Sequence, residues 1–200
     1  MEHGSSARAA QLLAEHGILK AGQAEALGVS RRTLHRLAHR GEAEVLRRGV
    51  YGWAGAPITE QRSLVEAMLA VPHGAICLTS ALVYWGMTLE VPLEVWVSYK
   101  RGSARPRNPG VGLRLVCCSA QVFGLGLEQR EHEGVRVVLT NPTRTVVDCF
   151  KWRRLVGSDV ALEGLKAFVH QRLGTTSELI ELAQRQRVYN LMRPYLEALL

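Results

Sequence analysis

The amino-acid sequence predicts an α+β protein in two parts, and three observations support this fold class. Residues 7–53 combine short helical patterns with one hairpin pattern. After a hinge at residues 54–57, three segments rich in Val and Leu alternate with the period of half-buried strands. Helical patterns resume at Pro142 and continue to the C-terminus. We therefore predict a helical domain with a hairpin over residues 1–55. Residues 56–200 are predicted to form an α+β domain with a small, mainly antiparallel sheet and C-terminal helices.

The first part has the element order of a small DNA-reading module. A short helical pattern over residues 22–27 reaches a Gly28–Val29 turn, and Ser30 is placed to cap a second helix. Residues 44–48 and 50–53 then show the alternating pattern of two short strands on either side of Gly49, which predicts a short hairpin. Helix, turn, helix and hairpin in this order are typical of a winged helix-turn-helix.

The helix after Ser30 carries an unbalanced charge. Val29, Leu34 and Leu37 can face inward. The outer face must then be shared largely by Arg31, Arg32, His35, Arg36, His39 and Arg40. No acid falls between Ser30 and Gly41, whereas a merely solvated helix normally mixes both signs. We expect this helix to enter the major groove of DNA, the alternatives being a solvated face or a module that binds only proteins. The predicted DNA-binding residues are Ser30, Arg31, Arg32, Thr33, His35, Arg36 and Arg40 on the helix, with Arg47 and Arg48 on the hairpin.

A second basic segment and the net charge also favour a polyanionic partner. The chain carries a formal net charge of +7 at pH 7. Residues 98–107 contain four basic side chains and no acid, in a loop rich in Pro, Gly and Arg. This loop is a candidate for additional contact with nucleic acid or a protein partner, and the alternative is a solvated loop. Its basic residues are Lys100, Arg101, Arg105 and Arg107.

The second part alternates helices and strands in a definite order. Thr79 or Ser80 is expected to cap its second helix, and Thr175 forms a capping box with Glu178 before a later one. Pro194 is expected to bend or interrupt the last helix. The predicted strands are 93–99, 113–119 and 135–140, and the predicted helices are 60–70, 81–85, 142–151, 158–173, 175–186 and 188–200.

The sequence contains no set of residues that predicts catalysis. Phosphate-binding loops, zinc-protease motifs and nucleophile elbows are absent from it. Asp148 follows Arg144 by four residues, which predicts an ion pair on the outward face of a helix beside Lys151. Asp148 with Lys151 is the nearest approach to a nuclease site. We therefore predict a protein that is not an enzyme, with no catalytic residues, cofactor or metal site.

Cysteine spacing and hydropathy indicate a cytoplasmic protein without a membrane segment. The four cysteines, Cys77, Cys117, Cys118 and Cys149, show no CxxC spacing, which favours free thiols in a reducing compartment. No run of residues approaches the ~20 apolar residues that a membrane-spanning helix needs.

Taken in order, four segments of the chain resemble the AbiEi antitoxins of AbiE-type (type IV) toxin–antitoxin systems. They are the helix-turn-helix followed by RRGVYGW (47–53), the segment TSALVYWGM (79–87), the basic loop after EVWVSY (94–99), and GVRVVLTNPTRTVVDCF (134–150).

The resemblance implies a regulator with two tasks. Its winged module would bind inverted repeats in double-stranded DNA at its own promoter and repress the operon. Its C-terminal domain would counteract a cognate nucleotidyltransferase-like toxin. The family's basic recognition helix and wing map onto Arg31, Arg32, Arg36, Arg40, Arg47 and Arg48. A stand-alone winged-helix transcriptional regulator is the alternative function, followed by a nuclease with a DNA-binding module.

Overall fold

The protein is a mixed α+β chain that divides into two compact units. The computed structural model describes residues 2–56, 59–104 and 112–199. The N-terminal unit comprises Met1–Ala70 together with Glu131–Arg136, and the C-terminal unit comprises Val71–Arg130 and Val137–Leu200. The domain limits expected from the sequence, 1–55 and 56–200, stay a prediction. Within the described part of the chain, no helix combines the length and apolar character that a membrane crossing requires.

The N-terminal unit contains four helices and a three-stranded sheet among its described residues. The sheet has the order β1-β3-β2, and both pairs of strands are antiparallel. In chain order the elements are α1 (Glu2–His16), β1 (Ile18–Lys20), α2 (Ala21–Ala26), α3 (Arg31–His39), β2 (Ala43–Arg47), β3 (Val50–Trp53) and α4 (Arg62–Ala70).

Helices α1, α2 and α3 enclose a small apolar core with the sheet. Leu13, Leu34 and Leu37 are fully buried there, and Tyr51 of β3 completes the cluster. Burial of such a side chain stabilises the fold by about 1.5–3 kcal/mol. Gly28, in the turn between α2 and α3, has φ +80°, a conformation that glycine adopts without steric cost. The turn predicted at this position is thereby explained.

The C-terminal unit combines a five-stranded sheet with helices, mostly after the last strand. The strand order is β6-β5-β4-β8-β7. From β4 onward the elements are β4 (Ala75–Ile76), α5 (Leu78–Tyr84), β5 (Val95–Lys100), β6 (Leu113–Cys118), α6 (Ala120–Phe123), β7 (Leu127–His132), β8 (Val135–Thr140), α7 (Pro142–Lys151), α8 (Arg153–Val156), α9 (Ser158–His170), α10 (Thr176–Arg185) and α11 (Tyr189–Leu199). The end of β7 and the start of β8 lie within Glu131–Arg136 and so belong to the N-terminal unit.

The sheet is mixed, so the prediction of a mainly antiparallel sheet is wrong. β4 pairs antiparallel with β5, but β5–β6 and β4–β8 are parallel. β7 and β8 are joined by the two-residue turn Glu133–Gly134, a connection that only antiparallel strands permit. The error arose because β4, which lies in the middle of the sheet, has only two residues and gives no period-two signal.

Helix α5 begins three residues earlier than predicted. Its N-cap position is Cys77, and both Thr79 and Ser80 lie inside the helix as buried residues. The Ser80 hydroxyl accepts a hydrogen bond from the backbone N–H of Trp96 in β5 at 2.9 Å. It therefore links α5 to the sheet and does not cap the helix. The capping box of Thr175 and Glu178, in contrast, is present as predicted.

Helix α7 has no outward face at Arg144 or Asp148, contrary to the prediction. Both side chains are buried, because α7 is covered by α5, α9 and α10. The Arg144 guanidinium donates to the backbone carbonyls of Val122 and Leu125 as well as to Asp148. Only Lys151, at the C-terminal end of α7, is exposed as predicted.

Candidate nucleic-acid interface

Helix α3 is fixed to the N-terminal unit by its cap and its apolar side. The Ser30 side chain accepts a hydrogen bond from the backbone N–H of Thr33 at 3.2 Å, which satisfies one of the free donors of the first turn. Leu34 and Leu37 are each 0% exposed. A helix held in this way presents its opposite side rigidly.

The exposed side of α3 is cationic from end to end. At about 100° per residue, Arg32, His35 and His39 lie at the centre of this side, with Arg31 and Arg36 towards its two margins. Arg31, Arg32, His35 and Arg40 are exposed as predicted. The His35 ring lies 5.5 Å from the His39 ring and 6.4 Å from the Tyr51 ring, measured between centroids.

Two acidic residues pair with arginines at the ends of this cationic surface. Arg31 Nε lies 3.7 Å from a carboxylate oxygen of Glu25, and Arg40 Nη1 lies 4.0 Å from one of Glu42. All four side chains are about half exposed or more, so solvent screens both pairs strongly. These two pairs therefore reduce the positive potential of the surface only slightly.

Thr33, one of the predicted DNA-binding residues, is buried. Its side chain is 4% exposed, and its hydroxyl lies 3.0 Å from the Ser30 hydroxyl and 3.3 Å from the Ser5 hydroxyl of α1. The position follows from helix geometry, since Thr33 lies on the same side as Leu34 and Leu37. We assign Thr33 to the contact between α1 and α3.

Arg36 is half-buried and turned towards α1. Its Nη2 donates to the Ser6 hydroxyl at 3.0 Å. The sequence predicted Arg36 on the outer face with the other arginines, but its place at the margin of that face brings it within reach of α1. It therefore links the two helices and differs from Arg32, which is exposed.

The β2–β3 hairpin carries two further cations close to α3 in sequence. Arg47 ends β2 and Arg48 occupies the turn, and both are exposed. The turn residue Gly49 has φ +78°. A register shift between Val45 and Arg47 marks a bulge, which increases the local twist of the hairpin.

An ion cluster around Arg62 of α4 was not predicted from the sequence. Its Nη1 lies 2.6 Å from Oε2 of Glu133, its Nη2 lies 3.0 Å from Oε2 of Glu44, and its Nε lies 3.1 Å from Oε1 of Glu66. Thr59 Oγ1 donates to the other oxygen of Glu133 at 2.7 Å. The spacing of four residues to Glu66 is the only part of this cluster that the sequence signals, because Glu133 is 71 residues away.

The protonation of Arg62 reflects this environment. Burial alone would lower the pKa of the guanidinium, but the hydrogen bond and charge of Glu133, with the contributions of Glu66 and Glu44, raise it above its ordinary value. Arg62 is therefore held as a cation against three carboxylates. Glu44 belongs to the hairpin strand β2, so the cluster joins that strand to α4.

The second basic segment is described only in part. Lys100 ends β5 and Arg101 follows it, and both are exposed. Arg105 and Arg107 lie outside the described residues. Lys100 and Arg101 belong to the C-terminal unit, and their predicted role in binding stays a prediction.

Asp148 and Lys151, the nearest approach to a nuclease site in the sequence, make structural contacts. Asp148 receives Arg144 Nε on one oxygen and Gln186 Nε2 on the other, at 2.6 and 2.7 Å. Lys151 Nζ donates to Gln186 Oε1 at 2.9 Å. Among the described residues, no group of three or more His, Cys, Asp or Glu side chains is arranged to hold a metal ion.

The four cysteines are free thiols, as predicted. Burial, together with the charge of Asp148, raises the pKa of the Cys77 and Cys149 thiols well above its ordinary value. Burial also raises the pKa of Cys118. Cys117 is the half-buried one of the four.

Comparison with known proteins identifies the segment that carries this surface. Residues 7–52 match a family model described as a transcriptional regulator, AbiEi antitoxin. A search of curated proteins found no significant match. The matched residues include α2, α3 and most of the β2–β3 hairpin. Residues 7–52 are thus similar to the AbiEi antitoxins, a family described as transcriptional regulators, in agreement with the resemblance predicted from the sequence.

Proposed function

We propose that the N-terminal unit is a winged helix-turn-helix that represses the operon of this protein. In this assignment α2 and α3 are the helix-turn-helix, α3 is the recognition helix, and the β2–β3 hairpin is the wing. The observation that carries the proposal is the exposed cationic side of α3, whose opposite side is locked into the core by Leu34 and Leu37.

The N-terminal half of α3 is best suited to reading bases. In helix-turn-helix proteins the first residues of the recognition helix reach deepest into the major groove. Arg31, Arg32 and His35 are exposed there. An arginine that contacts guanine in a bidentate manner discriminates against other bases by about 1–3 kcal/mol. We assign base recognition to these three residues and leave out Thr33, which is buried.

The remaining exposed cations are suited to phosphate contacts. Arg40 ends the cationic side of α3, and Arg47 and Arg48 lie on the hairpin, where wings approach the DNA backbone. Phosphate contacts fix orientation and add affinity without sequence preference, and salt weakens them. Lys100 and Arg101 are proposed as additional contacts to nucleic acid or to a protein partner.

The C-terminal unit is proposed to counteract a nucleotidyltransferase-like toxin encoded beside this protein. The family match to AbiEi antitoxins supports this role, and so does the resemblance of segments 79–87 and 134–150. A stand-alone transcriptional regulator would share the DNA-binding mechanism and have no toxin. Co-expression with the neighbouring protein separates the two: growth rescue supports the antitoxin, and a neighbour that is harmless alone supports the regulator.

Fluorescence anisotropy tests the DNA-binding proposal directly. Labelled duplexes that cover the DNA upstream of the coding sequence are titrated with the full chain, alongside shuffled duplexes of equal length. We expect one upstream duplex to bind more tightly than its shuffled control and the affinity to fall as salt rises. Equal binding to both at every salt concentration would refute operator recognition.

A further inference from the structure

The β2–β3 hairpin has a side that faces away from the core formed with α3, and Arg62 lies on it. Tyr51 of β3 is buried in the core cluster of the N-terminal unit. Its neighbour Gly52, which points to the other side of the strand, pairs with Glu44 of β2. Arg62 Nη2 contacts this Glu44. The hairpin is thus held on one side by the apolar core and on the other by a cation.

Gly52 leaves room for that cation. A Cβ atom at position 52 would lie 3.3 Å from Arg62 Nη2 and 3.3 Å from Leu46 Cδ1, closer than most contacts of a real Cβ. The absence of a side chain therefore lets the guanidinium lie against the strand. The sequence VYGW places its one glycine where the Arg62 head group approaches.

Glu44 poses an electrostatic problem on a DNA-binding hairpin. It is the one acid among residues 43–53, and its side chain is 60% exposed. An unpaired carboxylate near phosphates would repel them and oppose Arg47 and Arg48. Arg62, only 16% exposed, offsets part of this charge, and Glu66 and Glu133 contact its other two nitrogens and share the same cation.

We propose that Arg62 is a positioning residue for DNA binding, which fixes the β2–β3 hairpin and offsets part of the charge of Glu44. This inference rests on the proposed function, because it assigns the hairpin to the DNA contact. It adds a residue outside the matched segment 7–52 to the machinery of recognition.

The central test compares Arg62→Gln with wild type in anisotropy titrations on the upstream duplex and on its shuffled control. We expect Arg62→Gln to weaken binding roughly three- to tenfold on both duplexes and to reduce the salt slope, because the substitution removes one positive charge beside the hairpin. Arg193→Gln is the matched control. It removes one positive charge from an exposed pair with Glu197 and should leave the affinity within about twofold of wild type, because solvent screens exposed pairs strongly.

A rescue experiment tests whether the lost affinity comes from the charge of Glu44 or from general damage to the fold. Adding Glu44→Gln to Arg62→Gln removes the exposed carboxylate and should restore most of the lost affinity and salt slope. Gly52→Ala provides a second route that keeps every charge, since the new methyl group presses on Arg62 Nη2. We expect it to weaken binding in the same direction, and Glu44→Gln should relieve that loss as well. Thermal melting of each variant verifies that it is folded.

The outcomes distinguish the inference from the proposed function. Wild-type affinity in folded Arg62→Gln would overturn the role of Arg62 while leaving operator binding intact. A loss that Glu44→Gln does not relieve would overturn the electrostatic part of that role. If Arg62→Gln does not fold, the affinity of Gly52→Ala, measured with and without Glu44→Gln, is judged by the same outcomes. Failure of the wild-type chain to prefer the upstream duplex would instead overturn the proposed function, and this inference with it.

Discussion

Arg144 and Asp148, one helical turn apart on α7, form an ion pair inside the C-terminal unit, with Nε 2.6 Å from Oδ2. The side chain of Arg144 is 0% exposed and that of Asp148 is 5% exposed. Gln186 of the segment after α10 donates to the second carboxylate oxygen, and two backbone carbonyls accept from the guanidinium. Nearly every group is paired, so the network ties α7 to α10 and to the chain before β7.

Asp148→Asn should destabilise the C-terminal unit strongly. The substitution leaves a buried guanidinium without its counter-charge, and breaking one side of a buried pair costs about 3–5 kcal/mol. Urea unfolding followed by circular dichroism measures the change. Glu181→Gln is the control, because it breaks the exposed pair of the same spacing with Arg185 and should cost less than about 0.5 kcal/mol. A loss for Asp148→Asn as small as that of the control would contradict this account.

Ser30→Asp should separate capping from DNA binding. Aspartate caps a helix as well as serine and interacts favourably with the helix dipole, so the melting temperature should stay close to that of wild type. The new negative charge stands at the exposed start of α3, where it would meet phosphates or base edges. We expect a loss of DNA affinity in anisotropy titrations. Ser30→Ala should show the reverse pattern, with about 1 kcal/mol lost in stability and a smaller effect on binding. Unchanged affinity in Ser30→Asp would argue against α3 as the recognition helix.

Arg32→Ala and Arg48→Ala should affect binding in different ways. Arg32 lies at the centre of the exposed side of α3, so its loss should reduce the preference for the upstream duplex over shuffled DNA. Arg48 lies in the hairpin turn, so its loss should weaken both duplexes equally and lower the salt slope by about one. Titrations at several salt concentrations measure both quantities. Identical effects of the two substitutions would refute this division between base and phosphate contacts.

Arg36→Ala should act mainly on stability. Its Nη2 donates to the Ser6 hydroxyl and its side chain is half-buried, so removing it loses a hydrogen bond and some buried surface, together worth about 1 kcal/mol or more. The preference for the upstream duplex should survive in the folded variant. Thermal melting and anisotropy on the same preparations test both statements. A variant with wild-type stability and lost sequence preference would instead place Arg36 among the residues that contact bases.

Thiol labelling of the native protein should begin at Cys117. Cys77 and Cys149 are fully buried, and their raised pKa keeps the unreactive thiol form at pH values where an ordinary cysteine would begin to ionise. N-ethylmaleimide at pH 8, followed by peptide mass spectrometry, gives the order of modification. In urea all four should react at similar rates. Early modification of Cys149 in the native protein would contradict its burial in the core.

The sequence was most informative where local signals decide the structure. The cap at Ser30, the turn at Gly28 and the alternation around Gly49 depend on neighbouring residues alone, and the helices and hairpin lie within a few residues of their predicted positions. The cationic side of α3 follows from helical periodicity in the same way. The inward position of Thr33 follows from that periodicity too, but the chemistry of its hydroxyl suggested an exposed role.

The features that sequence reasoning missed depend on distant parts of the chain. Glu133 reaches Arg62 across 71 residues, and no spacing rule predicts such a pair. The parallel pairing of β5 with β6 depends on the long connection between them and not on their composition. Arg144 and Asp148 have the spacing of a surface pair, and only the packing of α5, α9 and α10 around α7 makes that pair internal.

The N-terminal unit is discontinuous along the chain, because Glu131–Arg136 belongs to it together with the first 70 residues. A gene fragment that stops after Ala70 would encode α3 and the hairpin but would omit Glu133, the closest carboxylate to Arg62. Fusing this N-terminal unit to another effector domain, in the laboratory or by recombination between genes, would therefore require one of two additions. Either the β7–β8 turn is included in the fusion, or another acidic residue is introduced to pair with Arg62.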